Sequence, residues 1–274
     1  MPFIKYNNKN IYYEVHGEGN PLIILNGIMM SHMSWSAFLP QLTKDNKVIL
    51  LDFFDQGKSD KMDKSYKQDL QVEVVKTVID ELGLGEVGEV NIFGISYGGE
   101  VALQFALKYN NLVNKLMLFN TTSYTNPWLH DIGRGWLKAA LTKDQEIFYN
   151  ITIPIVYSPL FYTKNIDWMN KRRELLYGVF KEDFLDGMVR LIESAEGYDV
   201  RERLNEIKAN TLVVSSEFDF ITPIPDQEYI CDNISLAKYV LIRNCGHASM
   251  YEKPNEFINI LTGFLAIEKE IKIV

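Results

Sequence analysis

The chain has 274 residues, 47% apolar and 23% charged, which is ordinary globular material and enough for one or two domains with a large core. A net charge of -8 without any Lys/Arg block excludes an electrostatic nucleic-acid binder. No run approaches the roughly 18 apolar residues of a membrane span, and "MPFIKYNNKNIYYEV" has no secretory-type apolar core, so a cytoplasmic protein with no membrane span is expected.

In chain order, "FIKYNN", "NIYYEVH" and "PLIILNG" are short β-rich runs separated by the turn residues "NNKN" and "GEGNP". "SWSAFLPQL" reads as a short helix. "KVILLDF", at 47–53, is a continuous apolar run, as expected of a strand buried on both faces. "DLQVEVVKTVIDELGL" has apolar residues at 70, 74, 75, 78, 79 and 82, the spacing of a helix, with Gly83 placed to end it. "EVNIFG" is again a buried strand, "GGEVALQFALKYNNLV" a helix and "VNKLMLFNT" a further strand. Strand and helix therefore alternate to residue 121, which argues for a mostly parallel sheet with helices on both faces. "TLVVSS" and "KYVLIRN" resume the strands, and "EFINILTGFLAI" closes the pattern with an amphipathic helix. The tail "IEKEIKIV" is expected to fray.

Residues 122–209 break the alternation. They are rich in Trp, Tyr and Phe, and apart from the β-rich "ITIPIVYS" they look helical. The expected organisation is a core of 1–121 and 210–274 with a helical insertion at 122–209. Within the insertion, "NKRRE" (Asn170–Glu174) reads as a solvated helix face. Cys231 and Cys245 form neither a disulfide framework nor a metal-ligand pattern, and neither metal nor cofactor is expected.

One stretch carries chemistry. Gly94-Ile95-Ser96-Tyr97-Gly98 fits G-x-S-x-G between a buried strand and a helix, the context a nucleophile elbow requires. A serine hydroxyl needs a base. Of the four histidines, His247 lies between the last strand and the last helix, beside a glycine. His16 reads as structural, His130 falls in the insertion, and His32 lies near the "NGI" loop without a base motif. An imidazole in this role needs an orienting carboxylate. Asp219 follows "TLVVSS" and lies further into its loop than the alternative, Glu217.

The chain resembles the α/β-hydrolase superfamily of carboxylesterases, lactonases and C–C bond hydrolases over nearly its whole length. The resemblance rests on "NIYYEVHGEGNPLIILNG", "LLDFFDQGKSDK", "GISYGG", "SSEFDFITP" and "CGHASMYEKP", in that order. It implies an α/β-hydrolase fold with a helical cap. It also implies Ser96 as nucleophile, His247 as base and acid, Asp219 as orienter, and an oxyanion hole from the Tyr97 and Ile28 N–H groups. Two features depart from the family pattern: Asn26-Gly27 replaces His-Gly, and the loop through Asp52, Gln56, Gly57 and Ser59 lacks its arginine. The cap implies a partly closed apolar pocket, for which Asn26, Met29, Trp128 and Met250 are the substrate-contact candidates. None of Arg134, Arg172, Arg173 and Arg190 can be aimed from sequence.

The expected activity is hydrolysis of a small to medium, largely apolar carboxylic ester through an acyl-enzyme. Alternatives are a lactone, thioester or C–C bond attacked by the same triad, or a non-catalytic receptor on the scaffold. The partner is a small molecule, and the protein is expected to be a monomer or homodimer.

Overall fold

A computed structural model describes residues 2–85 and 90–267. Residues 268–274, most of the tail expected to fray, lie outside the described residues. β1 (Phe3–Tyr6) and β2 (Lys9–His16) form a hairpin, and the two residues joining them, Asn7 and Asn8, have φ of 48° and 65°. Positive φ at both central positions is the two-residue turn that matches strand twist, and asparagine tolerates it. β3 (Asn20–Leu25), β4 (Asn46–Leu51), β5 (Val90–Ile95), β6 (Val113–Phe119), β7 (Asn210–Ser216) and β8 (Ala237–Ile242) complete an eight-stranded sheet. Its order is β1-β2-β4-β3-β5-β6-β7-β8. β2 pairs antiparallel with β1 and β4, and every other pairing is parallel.

The apolar runs of the central strands follow from this arrangement. Successive side chains point to opposite faces, and both faces are covered. Ile23, Ile49, Ile92, Leu116 and Val213 join one core cluster, while Leu22, Val48, Phe93, Met117 and Leu212 join another. Helices α2 (Asp69–Glu81), α3 (Tyr97–Lys108) and α9 (Ile224–Asn233) contribute Val75, Val101 and Ile230 to the first. Trp35, α1 (Leu39–Leu42) and α11 (Pro254–Ala266) cover the second. The expected single helix over "SWSAFLPQL" is split into a 3-10 turn, His32–Trp35, and the short α1, with Pro40 near the start of the latter.

Between β6 and β7 run α4 (Pro127–Leu141), α5 (Gln145–Val156), α6 (Pro159–Lys164), α7 (Ile166–Val179) and α8 (Glu182–Ser194). They share a third cluster built on Trp136, Phe148, Tyr149, Met169, Leu185 and Met188. "ITIPIVYS" is largely helical: all but its last two residues belong to α5, with Pro154 inside. Packing overrides β propensity here. Asp144 caps the helix through the Glu146 and Ile147 N–H groups, Thr152 donates back to the Phe148 carbonyl, and Phe148, Tyr149, Thr152 and Ile153 are buried. α10 (Ser249–Glu252) lies just before α11. Its Glu252 accepts from the Ser158 N–H and hydroxyl, and Ala248 N–H donates to the Val156 carbonyl, so the helical segment is tied to the loop after β8. No helix among the described residues is long and apolar enough to cross a membrane.

Candidate active site

β5 ends at Ile95 and α3 begins at Tyr97, leaving Ser96 alone at the turn with φ 54° and ψ -125°. A serine in that region is strained, and it persists because its surroundings over-determine it. A Cβ on Gly98 would lie 2.2 Å from the Leu25 carbonyl oxygen, and one on Gly94 would lie 2.4 Å from the Gly98 carbonyl oxygen. Only glycine lets β3, β5 and α3 approach this closely. Ser96 N–H donates to the Phe119 carbonyl, and Thr121 Oγ1 donates to the Ser96 carbonyl, which locks the turn to the end of β6.

Three side chains meet there. His247 Nε2 is 2.9 Å from Ser96 Oγ, and His247 Nδ1 is 2.7 Å from Asp219 Oδ2. Asp219 is buried in the loop between β7 and α9. Burial alone would raise its pKa. The adjacent His247 ring and hydrogen bonds from His247, the Thr222 N–H and Asn120 outweigh that and hold the carboxyl below its ordinary value. Its Oδ1 accepts from the Ile221 and Thr222 N–H groups, and its Oδ2 also accepts from Asn120 Nδ2 and Thr222 Oγ1. Glu217 is elsewhere, accepting from the Asn244 N–H beside Arg243. Asn120 was not singled out in the sequence. It donates to Ser216 Oγ as well as Asp219 and accepts from Ser249 Oγ, so it links the ends of β6 and β7 to the histidine loop. Its φ of 47° is invisible in a string of letters.

The other histidines fall outside this chain. His32 donates its backbone N–H to Asp52 Oδ1, and its Nδ1 lies 2.6 Å from Asp52 Oδ2. His16 pairs with Glu14, and His130 with Asp131.

The loop after β3 carries Ile28. Tyr97 opens α3, so its N–H is one of the helix's initial unpaired donors. Gln56 Nε2 donates to the Gly27 and Ile28 carbonyls, and Met30 N–H also donates to the Gly27 carbonyl. Asn26 does not line the cavities at Ser96, contrary to expectation. Its Nδ2 donates to the Leu51 carbonyl and its Oδ1 accepts from Trp35 Nε1, so the amide is buried as a brace. Trp128 is also outside the cavities. It is 54% exposed, and its Nε1 donates to the Phe220 carbonyl.

Two cavities open at Ser96, sharing Ile28 and Trp136 as walls. The first includes His247 and the expected Met29 and Met250, with Ile153, Leu176 and Tyr157 from the helical segment. Arg172 also lines it, which corrects the reading of "NKRRE" as wholly solvated. α7 turns this one guanidinium inward, 4.3 Å above the Tyr251 ring. It has no carboxylate partner among the described residues, and its buried Nε makes no hydrogen bond. Arg173 lies over Tyr149 and Arg190 pairs with Asp55, while Arg134 lines the second cavity. Among the described residues no group of three or more His, Cys, Asp and Glu side chains is placed to hold a metal ion.

The doubly covered, mostly parallel sheet, with a serine at a strained strand–helix turn beside a His–Asp pair, defines a class of α/β enzyme. A family model described as alpha/beta hydrolase fold matches residues 20–153. A solved α/β hydrolase, MGS-M2 from a Medee basin deep-sea metagenome library, is 44% identical with a TM-score of 0.95, covering 99% of this chain and 100% of its own. The chain belongs to the α/β-hydrolase family of enzymes. A 2-hydroxy-6-oxononadienedioate/2-hydroxy-6-oxononatrienedioate hydrolase of Escherichia coli (strain K12) is 26% identical over 265 residues, 93% of this chain and 91% of its own. The enol-lactonase of Burkholderia xenovorans LB400 shares the fold at 19% identity and a TM-score of 0.85, with 97% and 99% of the two chains covered.

Proposed function

We propose that this enzyme hydrolyses small to medium, largely apolar carboxylic esters by acyl transfer, with Ser96 as nucleophile, His247 as base and Asp219 as orienter. The observation that carries the reading is the unbroken hydrogen-bond chain Asp219–His247–Ser96 opening onto an apolar cavity. Ser96 Oγ attacks the ester carbonyl while His247 Nε2 takes its proton. The oxyanion that forms is met by the Tyr97 and Ile28 N–H groups, whose dipoles are fixed before the reaction begins. As the tetrahedral species collapses, His247 returns the proton to the departing alcohol oxygen and the acyl group stays on Ser96. Water then repeats the sequence, releasing the acid. Asp219 remains ionised throughout and stabilises the imidazolium. Helices α4–α8 act as the cap, within the insertion 122–209.

The test is hydrolysis of p-nitrophenyl acetate and butyrate by the wild type beside Ser96→Ala, with fluorophosphonate labelling read at Ser96. Turnover equal in the two proteins, or an adduct elsewhere, defeats the reading.

Arg172 supports a second reading. A guanidinium that meets the Tyr157 and Tyr251 side chains but no carboxylate, in a largely apolar cavity, favours a substrate that carries a carboxylate. The same triad would then open a lactone, a thioester or a C–C bond in an acid, and the Escherichia coli relative is named for a dioate. A panel of neutral and acid-bearing esters, lactones and β-diketones separates the two.

A further inference from the structure

The second cavity at Ser96 has a feature that ester hydrolysis leaves unused. Its walls are largely apolar, with Leu129, Ile132 and Ile192 beside the shared Ile28 and Trp136. Glu100, one turn into α3 from Ser96, also lines it and is only 5% exposed. Glu100 Oε2 accepts a 2.5 Å hydrogen bond from Gln68 Nε2. Gln104 Nε2 donates both to the Glu100 main-chain carbonyl and to Gln68 Oε1, which orients the Gln68 amide with its Nε2 toward Glu100. Glu100 Oε1 has no hydrogen-bond partner among the described residues, and no cation pairs with the carboxyl. With Oε2 taken up by Gln68, Oε1 is the carboxyl position left open on the cavity lining, free to bond a group that enters.

We propose that Glu100 determines specificity in the second cavity, where it hydrogen-bonds a hydroxyl group on the substrate arm lying there. The inference rests on the proposed role of Ser96 only in taking that residue as the point from which both arms extend. Burial pushes the Glu100 carboxyl up to about 8, so near neutrality it is uncharged. With Oε2 occupied as an acceptor, Oε1 holds the proton. A carboxylic O–H both donates and accepts, and a hydroxyl answers both, whereas an ammonium group calls for the ionised form. Ser96 therefore sits between two compartments, one containing the Arg172 guanidinium and one that sets the uncharged Glu100 acid among largely apolar walls, with His130, Arg134 and Glu196 also on its lining. A substrate filling both is a carbonyl compound with a hydroxyl on one arm.

The test uses binding, so it does not depend on turnover. Unbranched methyl ketones ending in CH2OH, CH2NH3+ or CH2CH3, three to six carbons beyond the carbonyl, are titrated by NMR into Ser96→Ala and into the same protein carrying Glu100→Leu or Glu100→Gln. The hydroxy ketone of best length is expected to bind about tenfold more tightly than its methyl-terminated isostere. That preference should vanish in Glu100→Leu and partly persist in Glu100→Gln, whose amide still donates and accepts. No preference at any length, or the same preference in Glu100→Leu, overturns the proposal. Tighter binding of the ammonium ketone overturns the hydroxyl assignment. If Glu100→Leu does not fold, the preference in Ser96→Ala and its change in Glu100→Gln still decide. Esterase turnover persisting in Ser96→Ala would defeat the nucleophile assignment and leave this binding result standing by itself.

Discussion

Gln56 Nε2 donates to the carbonyl of Gly27 at 2.9 Å, joining the loop after β4 to the loop that carries Ile28. The same nitrogen reaches the Ile28 carbonyl at 3.3 Å, while Gln56 Oε1 is buried with no partner. One side-chain amide thus fixes the peptide units on both sides of the proposed second oxyanion donor. Gln56→Leu leaves the Gly27 acceptor with the Met30 N–H and also removes the unpartnered Gln56 Oε1, so the loss of stability is at most about 0.5–1.5 kcal/mol. It also lets the Ile28 N–H drift from its aim. Loss of an oxyanion donor costs roughly 10²-fold or more in kcat, so a drop of about tenfold, with little change in KM, is expected for partial misplacement. Wild-type kcat in Gln56→Leu would show that the tie is structural only.

Two carboxylates were open in the sequence, and kinetics can separate them. Asp219→Asn replaces an acceptor of the His247 Nδ1–H with a group free to present its own N–H there, favouring the wrong tautomer. A loss of about 10⁴-fold in kcat is expected. Glu217→Gln touches only the Asn244 N–H and Arg243, so activity should stay within about twofold of wild type. Equal losses in the two variants would remove Asp219 from its assigned role.

The contrast shows what the sequence could reveal. Alternation of strand and helix, the strand–serine–helix turn and the positions of Asp219 and His247 were legible because each rests on local pattern and chain order. Which way a residue of an amphipathic helix points into a neighbour was not. "NKRRE" has the composition of a solvated face, and Lys171 and Glu174 are exposed, yet α7 packs so that Arg172 faces Tyr251. Asn26 and Trp128 failed as pocket residues for a related reason. Both lie near Ser96 or in the insertion, but their polar atoms are committed to Leu51, Trp35 and Phe220. "ITIPIVYS" misled through propensity, which the packing of Phe148 and Ile153 overrode.

Arg172 offers a direct reading of substrate charge. Arg172→Met preserves length and apolar contact with Tyr251 while removing the cation. For an acid-bearing ester, KM is expected to rise at least tenfold, since a charge-assisted hydrogen bond contributes about 1.5–3 kcal/mol. For the uncharged isostere, KM should hold or fall, because a buried charge no longer needs solvating. A parallel change in both substrates would mean that Arg172 packs without selecting charge, and the neutral-ester reading would stand alone.

Glu100 also predicts how stability responds to pH. Burial raises its folded pKa from 4.5 to about 8, opposed only in part by the Gln68 hydrogen bond. Between those values the folded protein keeps a proton that the unfolded chain releases. The folded state therefore binds more protons, and its stability falls as pH rises through this window, by at most about 1.4 kcal/mol per pH unit. Below about pH 4.5 the group is protonated in both states, and above about 8 the penalty is complete. Glu100→Gln cannot titrate, and its amide oxygen still accepts from Gln68. Titrations common to both proteins drop out of the difference in Tm. Wild type should therefore lose ground to Glu100→Gln steadily from pH 5 to 8 and then run parallel to it. Curves that are parallel from pH 5 onward would mean that the carboxyl is already ionised in the folded protein at neutrality, and Oε1 would then be an acceptor alone.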